Sequence, residues 1–215
     1  MTRTRTKICG LTRPEDARLA ATLGADALGV VFYAGSRRAV TLEQARAIRD
    51  VVPAMTTLVA LFVDPDPAEV RAVLDAVSPD CLQFHGDEPV SFCESFGRPY
   101  MKALRVRPDL DVQRAARTYP SASAILLDAW HPTEAGGTGR QFDWQVARDL
   151  SAELPDRVVL AGGLSPDNVA EAIRLVDPWA VDVSSGVESA PGIKSPDRLN
   201  QFFREVYRVH AADDE

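Results

Sequence analysis

The chain has 215 residues, 46% hydrophobic and 26% charged, with a formal net charge of −7. That length allows one compact barrel but excludes a barrel with a second domain, and the composition is that of a soluble globular protein. The charge excludes a general binder of nucleic acid, which needs clustered positive charge, yet leaves room for a local site for a small phosphorylated molecule.

Short β-branched apolar runs alternate with amphipathic stretches along the whole chain. A first strand is expected over Arg5–Cys9 and a helix over Pro14–Leu23, stopped by Gly24. A buried strand follows at Ala27–Phe32, and then a helix at Leu42–Asp50 capped by Thr41. Strand Thr57–Val63 precedes a helix at Pro67–Ala76, which begins with proline where a missing N–H is harmless. Strand Asp80–Phe84 leads to a short helix at Glu88–Ser95, and strand Tyr100–Val106 to a helix at Leu110–Arg117. Strand Ala124–Asp128 is followed by a glycine-rich loop, Glu134–Arg140, and a helix at Phe142–Leu150. Strand Arg157–Ala161 ends in Gly162-Gly163, and Ser165 is expected to cap a helix over Pro166–Leu175. Strand Trp179–Val183 and helix Pro196–Val206 complete the pattern. Residues 1–210 form the domain, and 211–215 form an acidic tail expected to fray. Continuous apolar strands joined by helices imply a parallel sheet covered by helices. About eight such units predict an α/β single-domain (β/α)8 TIM barrel. The rival architecture, an open doubly wound sheet, more usually carries a glycine fingerprint after the first strand, where only Gly10 stands here.

In such a barrel the active site gathers at the C-terminal ends of the strands. Those ends supply Cys9, Arg38, His85, Asp128, Gly162-Gly163 and Ser184-Ser185-Gly186. Glycine lets backbone N–H groups approach an anion, and serine adds a hydroxyl, so the paired loops after the last two strands point to a phosphate site. Either loop alone would only make a turn. Cys9 is a candidate base or nucleophile if its pKa is lowered, and Lys7, two residues earlier, is on the same face by strand alternation. The bland alternative is a small buried hydrophobe, which suits Cys81 and Cys93 better. An odd number of cysteines without framework spacing argues against a disulfide scaffold and for a reducing compartment. Asp128 ends an apolar strand, where partial burial would equip it for general-acid work or leave it capping a loop. Arg38 either clamps a carboxylate or is a solvated loop arginine. His85 either shapes the site or is a satisfied structural histidine. Asp182, between two valines, is either a buried structural group or a support for the site. Three histidines, His85, His131 and His210, without metal-ligand spacing give no expectation of a metal. The first residues lack the apolar core of a signal peptide, and no apolar run approaches the ~20 residues of a membrane span, so a cytoplasmic protein with no membrane partner is expected.

Taken together, the motifs resemble those of the phosphoribosylanthranilate isomerases. They are Lys7-Ile-Cys-Gly-Leu-Thr12, Gly29-Val-Val-Phe-Tyr33 with Ser36-Arg-Arg38, and Leu82-Gln-Phe-His-Gly86. Then come Leu126-Leu-Asp128, Gly136-Gly-Thr-Gly139 with Phe142-Asp-Trp144, Leu160-Ala-Gly-Gly-Leu164, and Val181-Asp-Val-Ser-Ser-Gly-Val-Glu188. The resemblance implies an Amadori rearrangement in tryptophan biosynthesis, with Cys9 as general base, Asp128 as general acid and Arg38 on the anthranilate carboxylate. His85 and Asp182 are expected to bind substrate. Gly162, Gly163, Ser184, Ser185 and Gly186 are expected to hold the phosphate. It implies no cofactor, a small phosphorylated substrate as the partner, and a monomer or a homodimer; the several glycines of the loop after Asp128 suit a lid that folds over the substrate. An indole-glycerol-phosphate synthase would want a lysine–glutamate set and an N-terminal extension. A histidine-pathway isomerase would want an aspartate where Cys9 stands, and a non-catalytic phosphate binder would not depend on Cys9 or Asp128.

Overall fold

The computed structural model describes residues 3–107, 109–129 and 144–211. Eight parallel strands close into a barrel in chain order, the last pairing with the first. They are β1 (Arg5–Ile8), β2 (Ala27–Phe32), β3 (Thr57–Phe62), β4 (Cys81–Phe84), β5 (Tyr100–Val106), β6 (Ala124–Ala129), β7 (Val158–Leu160) and β8 (Ala180–Val183). The helices are α1 (Pro14–Thr22), α2 (Leu42–Arg49), α3 (Pro67–Val77), α4 (Val90–Glu94), α5 (Val112–Arg117), α6 (Trp144–Glu153), α7 (Val169–Val176) and α8 (Pro196–Ala211). The expected (β/α)8 barrel is therefore the observed fold. No helix among the described residues is long and apolar enough to cross a membrane.

Strand alternation divides the core in two. Ile8, Leu28, Leu58, Leu82, Ile125 and Val181 point outward into one large cluster with the helices. Val59, Cys81, Met101, Ala124, Leu126, Val159 and Ala180 point inward and fill the lower barrel. In β6, Ile125 and Leu127 face the helices while Ala124 and Leu126 face the barrel axis, so Asp128 faces the axis as well. The outer face also carries an aromatic row. Phe32, Phe62 and Phe84 occupy matched register positions and stack at 5.6 and 6.2 Å. Phe92 and Phe96 pack onto Phe84, which gives the five-residue α4 its hold on the sheet.

Four local readings are revised. The helix expected from Pro166 starts at Val169, because the Asn168 side chain accepts from the Ser165 N–H and donates to the Gly163 carbonyl, holding residues 165–168 as a turn. Ser165 Oγ accepts from Asp167 N–H within that turn and does not cap the helix. The last helix runs past Val206 to Ala211, since Val209 is buried and His210 accepts from the Thr4 N–H. A small antiparallel hairpin, β9 (Glu188–Ala190) with β10 (Ile193–Lys194), stands where only a loop was expected. The glycine-rich loop after Asp128, His131, the first residues of the expected Phe142 helix, and the tail beyond Ala211 lie outside the described residues.

Candidate active site

The inward positions at the C-terminal ends of the strands open into a cleft of about 680 Å³. Its floor carries Cys9, Gln83, His85, Asp128 and Asp182, and its walls carry Val31, Leu61 and Val63. Gly162, Gly163, Ser184 and Ser185 form one rim, and Tyr33, Ser36 and Arg38 another. Nine of the ten residues singled out in the sequence thus share one cleft. Gly186 lies just behind it, against the Leu164 carbonyl.

Closure of the barrel aligns Lys7 of β1 with Asp182 of β8. Their side chains meet at 2.9 Å, almost fully buried. Gly29 makes this possible, because a Cβ there would stand 3.0 Å from Cys9 Sγ and 3.2 Å from Lys7 Nζ. Burial pulls the Lys7 ammonium down, but Asp182 and Cys9 outweigh it and hold its pKa above the ordinary value. Burial pushes the Cys9 thiol up; Lys7 pulls it back, Asp182 adds to the rise, and the net is upward. Lys7 therefore does favour the thiolate, as alternation suggested, but without overcoming burial, and the resting group is a thiol.

Asp128 and His85 form a second buried pair. His85 Nε2 lies 3.2 Å from Asp128 Oδ2, without the alignment of a hydrogen bond, and Asp128 Oδ1 accepts from the Ala129 N–H. Gln83 Nε2 sits 3.2 Å from His85 Nδ1, which suits the tautomer with its proton on Nε2, facing Asp128. Gln83 Oε1 and His85 Nε2 have no hydrogen-bond partner among the described residues. Gln83 was not singled out in the sequence, although its place two residues before His85 puts it on the same strand face.

The two glycine–serine loops press against each other. Gly162 and Gly163 both adopt left-handed backbone, φ +80° and +78°, which bulky residues avoid. A Cβ on Gly186 would stand 1.9 Å from the Leu164 carbonyl oxygen, so the loop after β8 is wedged under the loop after β7. A double loop this close is the kind of element whose backbone N–H groups can hold an anion.

On the opposite rim, Arg38 is held by a residue the sequence reading passed over. Its Nε and Nη2 donate to the two Glu188 oxygens at 2.8 and 2.7 Å. Glu188 also accepts from Lys194 Nζ at 2.9 Å and from the Gly192 N–H. Burial raises the Glu188 pKa, but Arg38 and Lys194 together bring it below the ordinary carboxylate value. Arg38 is thus no solvated loop arginine. The signal was 150 residues distant in sequence and invisible to local spacing.

The model of the N-(5'-phosphoribosyl)anthranilate (PRA) isomerase family matches residues 6–205. The chain is similar to N-(5'-phosphoribosyl)anthranilate isomerase from Thiobacillus denitrificans, at 52% identity over 94% of this chain and 97% of the relative. A crystal structure of phosphoribosyl anthranilate isomerase from Thermus thermophilus superposes with a TM-score of 0.86 and 39% identity, over 96% of this chain and all of that one. Another structure of the enzyme, in complex with reduced 1-(o-carboxyphenylamino)-1-deoxyribulose 5-phosphate, gives 0.81 and 38%, over 95% and 99%. With a family match from the first strand to the last helix on a barrel of the same shape, the chain belongs to the phosphoribosylanthranilate isomerase family.

Proposed function

We propose that this cleft converts N-(5-phosphoribosyl)anthranilate to 1-(2-carboxyphenylamino)-1-deoxyribulose 5-phosphate in tryptophan biosynthesis, with Asp128 as acid and Cys9 as base. The observation that carries the roles is their placement. A thiol just after β1 and a carboxylate on β6 face the floor of one cleft, rimmed on one side by the double glycine–serine loop and on the other by an arginine.

The chemistry follows from the groups. Asp128 gives its proton to the furanose ring oxygen, the C–O bond breaks, and the nitrogen lone pair forms an iminium. That cation acidifies the neighbouring C2′–H, which the Cys9 thiolate removes, leaving an enolamine that tautomerises to the ketone. The working pair shares one proton, on Asp128 with Cys9 ionised. Lys7 supports that form, and the iminium born beside Cys9 adds to its support at the moment of proton transfer. Asp128 gives up one proton and Cys9 takes one, the pair is reset when that proton returns from the thiol to the carboxylate, and the electron pairs move only within the substrate, so no external oxidant or reductant is consumed. Asp182, His85 and Gln83 offer hydrogen bonds to the sugar hydroxyls. Gly162, Gly163, Ser184, Ser185 and, by its packing, Gly186 hold the phosphate, so binding energy far from the reacting carbons keeps the opened chain in place. Arg38 meets the ring carboxylate. Every group named belongs to one chain, so a monomer and a homodimer serve equally, and the reading carries with it a cytoplasmic site of action.

The test is turnover of freshly generated substrate, followed by loss of anthranilate-type fluorescence, for wild type, Cys9→Ser and Asp128→Asn, with folding checked by circular dichroism. Strong impairment of both folded variants, with binding of the reduced product analogue retained, is expected. A folded Cys9→Ser or Asp128→Asn protein with full turnover would remove that residue from the mechanism.

A further inference from the structure

An arginine on a loop is a poor reader of carboxylates unless something fixes it, because its long stem has many rotamers to lose. Arg38 is fixed from two directions. Below it, Gly10 leaves the space its stem occupies: a Cβ there would stand 2.4 Å from Arg38 Cδ. Beside it, Glu188 takes two of its N–H groups in a planar fork. That fork creates a difficulty, since one carboxylate already paired with Arg38 would cancel the charge meant for another. Lys194 resolves it. Its ammonium binds Glu188 Oε1 and the Ser184 carbonyl, and its side chain is fully buried, out of reach of any ligand. Among the described residues, two cations, Arg38 and Lys194, thus share the one carboxylate of Glu188 at the cleft wall, where burial weakens screening.

We propose that Glu188 and Lys194 are positioning residues for the carboxylate end of the cleft: Glu188 locks the Arg38 fork in one orientation, and Lys194 restores the positive charge that Glu188 would cancel. The proposal rests on the reading that Arg38 meets the substrate's ring carboxylate. The hairpin of β9 and β10 is the device that brings the two residues together, six positions apart and both buried.

The test uses two ligands, the reduced carboxyphenylamino-deoxyribulose 5-phosphate and its counterpart with hydrogen in place of the carboxyl group. Their dissociation constants are measured by titration calorimetry for wild type, Glu188→Gln and Lys194→Met. Wild type is expected to prefer the acid. Each variant is expected to lose about tenfold or more in affinity for the acid, and under about twofold for its counterpart. Glu188→Gln is the sharper arm, since it raises the net positive charge yet is expected to weaken binding of an anion. Variants that weaken both ligands equally, or leave the preference intact, overturn the proposal. Wild type that binds both ligands equally removes instead the reading that Arg38 meets the carboxylate. Where a single variant fails to fold, the double variant, which removes both buried charges together, decides: an unchanged preference there overturns the proposal too.

Discussion

Gly186 is the most informative single position, because its glycine is demanded by space alone. Its backbone is not left-handed, yet a methyl group there would meet the Leu164 carbonyl oxygen at 1.9 Å, its carbon at 2.9 Å and Ser165 Cα at 3.0 Å. Ordinary contact begins near 3.4 Å, so Gly186→Ala forces the two rim loops apart by about 1.5 Å. Backbone has no rotamer to yield, and overpacking of this kind costs about 1–3 kcal/mol of stability, or roughly 2–4 °C in Tm per kcal/mol for a chain this long. The effect on function is larger. In the function proposed above both loops supply the phosphate site, and a displacement of about 1 Å in a positioning element can cost on the order of 100-fold. Affinity for the reduced product analogue, measured by calorimetry, should therefore fall by about 10- to 100-fold, together with kcat/KM. Gly97→Ala is the control. Gly97 has a left-handed φ of +61° with nothing within 4 Å of its missing Cβ, so the substitution should cost about 1–2 kcal/mol and leave the kinetics unchanged. A folded Gly186→Ala protein with wild-type affinity for the analogue would refute the argument that the wedged loops form the anion site.

Because burial holds the Cys9 thiol above its ordinary pKa, its alkylation by iodoacetamide should keep accelerating with pH beyond about 8.5 and slow when the product analogue is bound; a plateau near neutrality would contradict this. Cys81 and Cys93, each pushed up to about 11 by burial, should likewise react only at high pH, and without protection by the analogue, as peptide mapping would show. Lys7→Met leaves Asp182 as a buried unpaired carboxylate and should cost about 3–5 kcal/mol in urea unfolding, with part recovered in Lys7→Met/Asp182→Asn; a loss under about 1 kcal/mol would show that the pair does not matter. Glu188 has a folded-state pKa below its unfolded value, so its stabilisation is fully present above about pH 4.5 and is lost as pH falls through the folded value. The stability gap between wild type and Glu188→Gln should close below about pH 4.5, and a gap independent of pH would rule out the ionised pairing.

The barrel and its mouth were legible because alternation is a local property. Once Ala124–Asp128 is a strand with Ile125 and Leu127 toward the helices, Asp128 has only one direction left. The same holds for Cys9 beside Ile8 and for His85 beside Phe84. What stayed hidden depends on partners far away in sequence. Glu188 and Lys194 look like loop residues until the barrel closes and Arg38 arrives from the other end of the chain. Lys102 and Glu88 are similar: a lysine in an apolar strand gives no hint that its ammonium will bind Glu88 at 2.6 Å behind the sheet. Ser165-Pro166 misled for a different reason. It is a sound helix opening, but the Asn168 side chain competes for the same backbone groups and delays the helix by three residues.

The pairing of β1 with β8 also fixes when the site can exist. Lys7 and Cys9 lie on one side of that seam, whereas Asp182, which pairs with Lys7, stands 175 residues further along the chain, with Ser184, Glu188 and Lys194 close behind it. Several clasps join these two ends: Lys7 to Asp182, the Lys194 N–H to Asp16, the Thr4 N–H to His210, and the Tyr207 hydroxyl to the Leu23 carbonyl. Without β8, Lys7 and the Cys9 thiol have neither the Asp182 carboxylate nor the loop that follows that strand. The cleft is therefore complete only once β8 has closed on β1, and removing that strand should abolish it as a unit rather than weaken it by degrees.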